Sequence, residues 1–175
     1  MLRLVTPQRV LPSALLGVLA AAALAASPLP VPLATFRAEP PGFRGDSATV
    51  RVRVVIPAGW HLQSNAPLDD FLIPTELKAS GEGLTFGTPV FPKAKVKDLE
   101  ALGGKVAVFE DTLTIRVPAR MGRGGRGGEA DKALSAAIVS VRYKACNDSQ
   151  CLPPKVIVAK YVPSTATAPT VPIEK

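Results

Sequence analysis

An all-β fold, an immunoglobulin-like antiparallel β-sandwich after a cleaved signal peptide, is what this sequence predicts, and three observations predict it. Short runs of alternating apolar and polar residues recur along the chain. The 18 prolines and 14 glycines punctuate those runs at short intervals, as turns between short strands require. A chain of 175 residues holds one ordinary domain with its own core, but not two domains with their connections. Long helices are not expected, and no repeat of solenoid or propeller period is present.

Taken in order, the chain opens with Arg3 and Arg9 ahead of an apolar stretch from Val10 to Leu24, and Ala23-Leu24-Ala25 fits a small-residue cleavage site. Residues 1–25 therefore read as a secretory signal peptide, with an uncleaved anchor as the alternative. No later stretch reaches the roughly 18 continuous apolar residues of a spanning helix. The formal net charge is +7, and removing Arg3 and Arg9 leaves a modestly basic +5. Part of it lies between Arg120 and Gly128, a Gly- and Arg-rich stretch with no aromatic residue to stack on bases, so it reads as a flexible loop and no nucleic-acid partner is expected.

The domain itself is expected over 26–162. Its proline-rich start, Ser27 to Pro41, reads as an extended lead-in that pairs along a sheet edge. From Thr49 to Ile56, Val50, Val52, Val54 and Ile56 fall on one face and Arg51 and Arg53 on the other, the pattern of a half-buried strand. Further strands are expected at Thr75–Lys78, Leu84–Thr88, Lys105–Phe109, Thr112–Val117, Ala136–Tyr143 and Val156–Tyr161, with Glu110-Asp111 as a tight connection. Roughly seven short strands of this kind suit an immunoglobulin-like sandwich. The run from Trp60 to Pro67 lacks a clean period. The end, 163–175, is rich in Pro, Thr and Ala and reads as a disordered tail or linker.

Only two cysteines are present, Cys146 and Cys151, and in an oxidising compartment such a pair forms a disulfide unless something reduces it. Three readings of the pair stand. It is a staple across a turn; it is a redox-active bond; or, with the single histidine His61, it is a soft-metal site. Nothing in the spacing supports the metal, and a histidine beside a tryptophan is more often a packed residue, so no metal and no cofactor are expected. A bridge closing so short a loop adds only about 2 kcal/mol to a domain that already has a core, which weakens the staple. Accessible bonds of this kind are the labile ones, which favours exchange.

Two stretches carry a resemblance. Tyr143-Lys144-Ala145-Cys146 through Cys151-Leu152-Pro153-Pro154 is similar to the cysteine region of the amino-terminal periplasmic domain of the DsbD thiol:disulfide interchange proteins. Gly59-Trp60-His61-Leu62 with Ser64-Asn65 and Phe71-Leu72-Ile73-Pro74 supports it, and the resemblance covers about Thr35 to Pro163. It implies a monomeric periplasmic thiol-disulfide oxidoreductase domain. A thioredoxin-like domain or membrane electron transporter would be the donor and exported thiol-disulfide proteins the acceptors. Cys151 would form the mixed disulfide with partners and Cys146 would resolve it. Trp60, His61 and Tyr143 would support or shield the pair. A cap loop would lie between Lys93 and Gly104, where Leu99 and Leu102 stand in place of the aromatic tip of some relatives. Such proteins continue into a membrane domain and a thioredoxin-like domain; a chain complete at Lys175 would draw electrons from a separate polypeptide, whereas a fragment of a longer membrane protein would carry its own donor. The competing expectation is a non-catalytic immunoglobulin-like binding module whose disulfide only braces a hairpin.

Overall fold

The computed structural model describes residues 32–39, 42–99, 103–122 and 128–163. The expected signal peptide, the tail from 164 onward, Leu102 and the central part of the Gly- and Arg-rich stretch lie outside the described residues.

The alternation of Val50, Val52 and Val54 with Arg51 and Arg53 builds β2 (Ser47–Val55), and its apolar face is fully buried. β1 (Leu33–Ala38) and β8 (Thr112–Met121) flank it antiparallel, in a register that lines up Phe36, Val52 and Ile115 in one row and Ala34, Val54 and Leu113 in the next. A slip of one residue would turn all of these to solvent, so the buried face fixes the register. β5 (Leu84–Phe86) and β12 (Lys160–Tyr161) complete a five-stranded sheet in the order β12-β1-β2-β8-β5. The proline-rich lead-in is thus no edge strand: β1 lies between β2 and β12, the latter pairing in parallel. Its alternate residues Ala34, Phe36 and Ala38 are buried, and that burial draws it inside the sheet.

Two smaller sheets form the facing layer. One is ordered β11-β9-β4, from β11 (Lys155–Val158), β9 (Ile138–Tyr143) and β4 (Glu76–Ser80). The other is ordered β10-β3-β7-β6, from β10 (Ala145–Cys146), β3 (His61–Gln63), β7 (Gly104–Phe109) and β6 (Lys95–Leu99). The chain passes from the first to the second at Lys144, between β9 and β10. One apolar cluster joins all three sheets, including Val52, Ile115, Val141, Leu62 and Phe109. The fold is therefore the mostly-β sandwich expected, with more strands than the roughly seven that alternation alone marks out.

Three elements differ in kind from the expectation. The segment before β9 is a short helix, α1 (Gly128–Ser135), whose Ala130 and Leu134 share one buried face at i,i+4 spacing; Ala136 and Ala137 close its last turn rather than open the strand. The expected strand Val156–Tyr161 divides at Ala159, where the chain leaves β9 and joins β1. Glu110-Asp111 does connect two strands tightly, but it carries the chain from one layer to the other, since β7 and β8 belong to different sheets.

Asp111 takes a left-handed backbone conformation at φ 59° and its carbonyl accepts a hydrogen bond from the Ile56 N–H at 2.8 Å. Aspartate tolerates that region and a β-branched residue does not. Asp111→Val is expected to cost about 1–2 kcal/mol in urea denaturation, and Asp111→Gly to cost none of that conformational penalty.

Candidate functional site

The two cysteines sit directly opposite each other across a tight antiparallel turn. Leu152 N–H donates to the Ala145 carbonyl at 2.8 Å and Asn147 N–H to the Gln150 carbonyl at 2.9 Å, so Cys146 and Cys151 form the non-hydrogen-bonded pair between them, with Cα atoms 4.0 Å apart. They are joined as a disulfide spanning five residues. The turn is held by the Asn147 side chain, whose Oδ1 accepts from the Ser149 and Gln150 N–H groups at 3.0 and 2.8 Å and from the Ser149 hydroxyl at 3.1 Å. An asparagine that binds its own backbone in this way stabilises a turn without help from the rest of the fold.

The two sulfur-bearing residues are not equivalent. Cys146 is 0% exposed, whereas Cys151 is partly exposed. Ala145 and Leu152 point into the main core, so Cys146, one position along β10, points to the opposite face of the sheet. The register Cys146↔His61 and Gln63↔Val108 puts His61 and Gln63 on that same face, beside a second small cluster of Leu72, Leu99, Val106 and Val108. Leu62, between them, enters the main core. All three residues of β3 are buried, so no alternation marks this strand in the sequence.

The surrounding charges are arranged around one ion pair. The Lys97 ammonium contacts the Glu110 carboxylate, and Lys95 reaches the other oxygen of that carboxylate at 3.2 Å. The hydrogen bond from Lys97 holds the Glu110 carboxyl below its ordinary value, and the same bond raises the Lys97 ammonium. Lys97, Asp98 and Leu99 on β6 and Asp148 in the cysteine turn line an open cleft of about 420 Å³. Burial lowers the His61 imidazole below its ordinary value; Lys97 acts in the same direction, and Glu110 and Asp148 act against it. His61 Nε2 and both polar atoms of the Gln63 amide are buried with no hydrogen-bond partner among the described residues.

Of the residues singled out in the sequence, the structure brings Cys146, Cys151 and His61 together. Trp60 is half-buried against the main core. Tyr143 is buried in that core, on the face of its strand opposite to Cys146, and burial raises its phenol. Leu99 is buried in the second cluster and borders the cleft beside Asp148; the stretch expected to form a cap loop begins as a regular strand, β6, paired with β7. Gln63, Lys97 and Glu110 are neighbours that the sequence reading missed. The signal for Gln63 was its place two residues from His61, the spacing that puts both side chains on one face of a strand. The described residues contain no group of three or more His, Cys, Asp or Glu side chains that could hold a metal, and no helix among them is long and apolar enough to cross a membrane.

The titration pattern gives a test of this burial. The folded value of His61 lies below the unfolded one, so the unfolded chain binds the extra proton first. Its contribution is intact above pH ~6.5 and is lost as pH falls through the folded value. The lowered Glu110 and Glu39 carboxyls act in the same direction at more acid pH. The urea midpoint is expected to fall between pH 7 and 5, and His61→Gln to remove that part of the loss while leaving the decline below pH ~4.5.

The family model described as "Thiol:disulfide interchange protein DsbD, N-terminal" matches residues 25–163. No curated protein matches the sequence. Among solved structures, the chain is similar to the DsbD N-terminal domain of Neisseria meningitidis in its reduced form, with 18% identity, TM-score 0.40, and coverage of 66% of this chain and 75% of that one. It is also similar to the N-terminal periplasmic domain of ScsB from Proteus mirabilis, with 10% identity, TM-score 0.44, and coverage of 73% and 44%.

Proposed function

Because the chain belongs to the family of DsbD N-terminal domains, we propose that it is a periplasmic thiol-disulfide carrier that cycles through the Cys146–Cys151 bond. The observation that carries this reading is the asymmetry of the pair: one sulfur-bearing residue is reachable from solvent and its partner is not. Exchange proceeds by attack of a thiolate on one sulfur with departure of the other, so access decides which sulfur is attacked. A reduced thioredoxin-like domain, or a membrane electron transporter, supplies the attacking thiolate. It bonds to Cys151 Sγ and Cys146 leaves as the thiolate. A second thiol of the donor then releases the carrier as a dithiol, two electrons richer. In the second half-cycle the Cys151 thiolate attacks the disulfide of an exported protein, and Cys146 resolves the mixed disulfide to restore the original bond.

The surroundings suit such a cycle. The bond lies in a turn stabilised by Asn147, so opening it does not require strands of the core to part. The cleft beside Asp148 leaves room for a partner chain on the β6 side.

Equilibration of the protein with thiol-disulfide buffers of graded potential tests the reading. A midpoint in the range of exchange proteins, about −120 to −270 mV, is expected, with reduction by a thioredoxin-like protein in seconds to minutes. A midpoint below about −300 mV, with resistance to that reductant, would mark the disulfide as a brace in a binding module.

A further inference from the structure

We propose that His61 is the proton acceptor for the Cys146 thiol, the group that makes the buried cysteine reactive when a mixed disulfide on Cys151 is to be resolved. The inference rests on the carrier reading above. Four observations carry it. His61 is the register partner of Cys146 on adjacent strands, so both side chains stand on one face of the sheet. Both residues are almost wholly buried, at 2% and 0% exposure, which leaves water little access to take the proton. His61 Nε2 has no hydrogen-bond partner among the described residues while the cysteines are oxidised. Buried polar atoms without partners are rare and costly, and reduction creates one new donor on this face, the Cys146 S–H.

The charges facing the imidazole fit the role. Lys97 on β6 opposes its protonation, whereas Glu110 after β7 and Asp148 in the cysteine turn favour it, and desolvation keeps it neutral at rest. A neutral imidazole is the form that accepts a proton. The step balances as follows: the Cys146 S–H proton passes to the imidazole, and the thiolate so formed attacks Cys151 Sγ. The Cys151–partner bond breaks with its electron pair on the partner sulfur, and the imidazolium returns the proton to that thiolate or to solvent. Without the base, resolution waits for the thiol to lose its proton to water, which burial keeps away from it.

Reduced protein mixed with glutathione disulfide, quenched in acid and analysed by mass, reads the step directly. Wild type is expected to pass to the oxidised form with little Cys151–glutathione adduct. His61→Gln should accumulate the adduct at pH 7, with resolution slower by on the order of 10²-fold and recovering only as pH rises past ~8.5. Equal accumulation and the same pH profile in both proteins would overturn the proposal while leaving the carrier reading intact. No reaction of the wild type with glutathione disulfide would remove the carrier reading itself, and this proposal with it. A measurement on the unsubstituted side chain covers a variant that fails to fold. His61 is the only histidine, so its ring signals are unambiguous in NMR. In the reduced protein they should show a second inflection as Cys146 ionises, absent in Cys146→Ala. Identical titrations in the two would refute the contact.

Discussion

Cys151→Ser is expected to abolish exchange with partner thiols, whereas Cys146→Ser should leave a protein that reacts once and then stays attached to its partner. The contrast follows from burial. With Cys151 replaced, the remaining sulfur is on a residue with no exposed surface, and a partner disulfide has no path to it. With Cys146 replaced, the accessible Cys151 still forms the mixed disulfide, but the group that would expel the partner is an alcohol, which is not ionised at neutral pH and does not resolve it. Non-reducing electrophoresis of the two variants after incubation with an oxidised exported thiol protein, followed by mass analysis, distinguishes them. An adduct with Cys151→Ser and none with Cys146→Ser would reverse the polarity assigned to the pair. Both variants lose the disulfide and should remain folded, since the link closes a loop of only five residues and its removal costs about 2 kcal/mol.

Where one face of a strand is buried and the other wet, the amino-acid order announces it. Val50, Val52 and Val54 against Arg51 and Arg53 marked out β2, and the same alternation marked out β8, whose expected span from Thr112 was only cut short at Val117. Where both faces are covered, the signal vanishes. β3 carries His61, Leu62 and Gln63, all buried, one toward the main core and two toward the cysteine face, and no period distinguishes such a run from a loop. β6 fails for the opposite reason. Its Lys95, Val96, Lys97 and Asp98 are largely solvated, and only pairing with β7 makes it a strand. The helix α1 was hidden by length. Eight residues with two buried positions are too few for a sustained period, and its stability comes from packing of Ala130 and Leu134 and from the Tyr161 hydroxyl, which donates to Asp131 at 2.8 Å.

The site divides along similar lines. Cysteine chemistry is local, and Cys146 and Cys151 were legible as a pair because only two exist and they lie in one turn. Their inequality was not legible from composition or spacing. It arises because Ala145 and Leu152 anchor the turn in the main core and leave Cys146 on the far face, under β3 and its neighbours. Tyr143 and Trp60 were grouped with the cysteines by proximity in the resemblance, yet strand parity sends Tyr143 to the other face. Lys97 and Glu110 belong to elements joined only by tertiary pairing, so no sequence interval connects them to the cysteines.

The largest loss of stability should come from the side of the sandwich that takes no part in the chemistry. Ile115 is 0% exposed at the middle of β8, in register with Val52, and contributes to the cluster that all three sheets share. Ile115→Ala removes three carbons from a site walled by paired strands, which collapse poorly around a cavity, and is expected to cost about 3–4 kcal/mol. Chemical reduction of the wild type should cost about 2 kcal/mol or less, by loop-closure entropy alone. Urea denaturation of oxidised, reduced and Ile115→Ala proteins checks the ordering. On the proposed carrier function the ordering has a reason: a domain that opens its one disulfide in every cycle has to hold its fold by something else. If reduction proved the costlier change, the bond would be carrying the sandwich, and a carrier that unfolds on accepting electrons could not present Cys151 to the next partner.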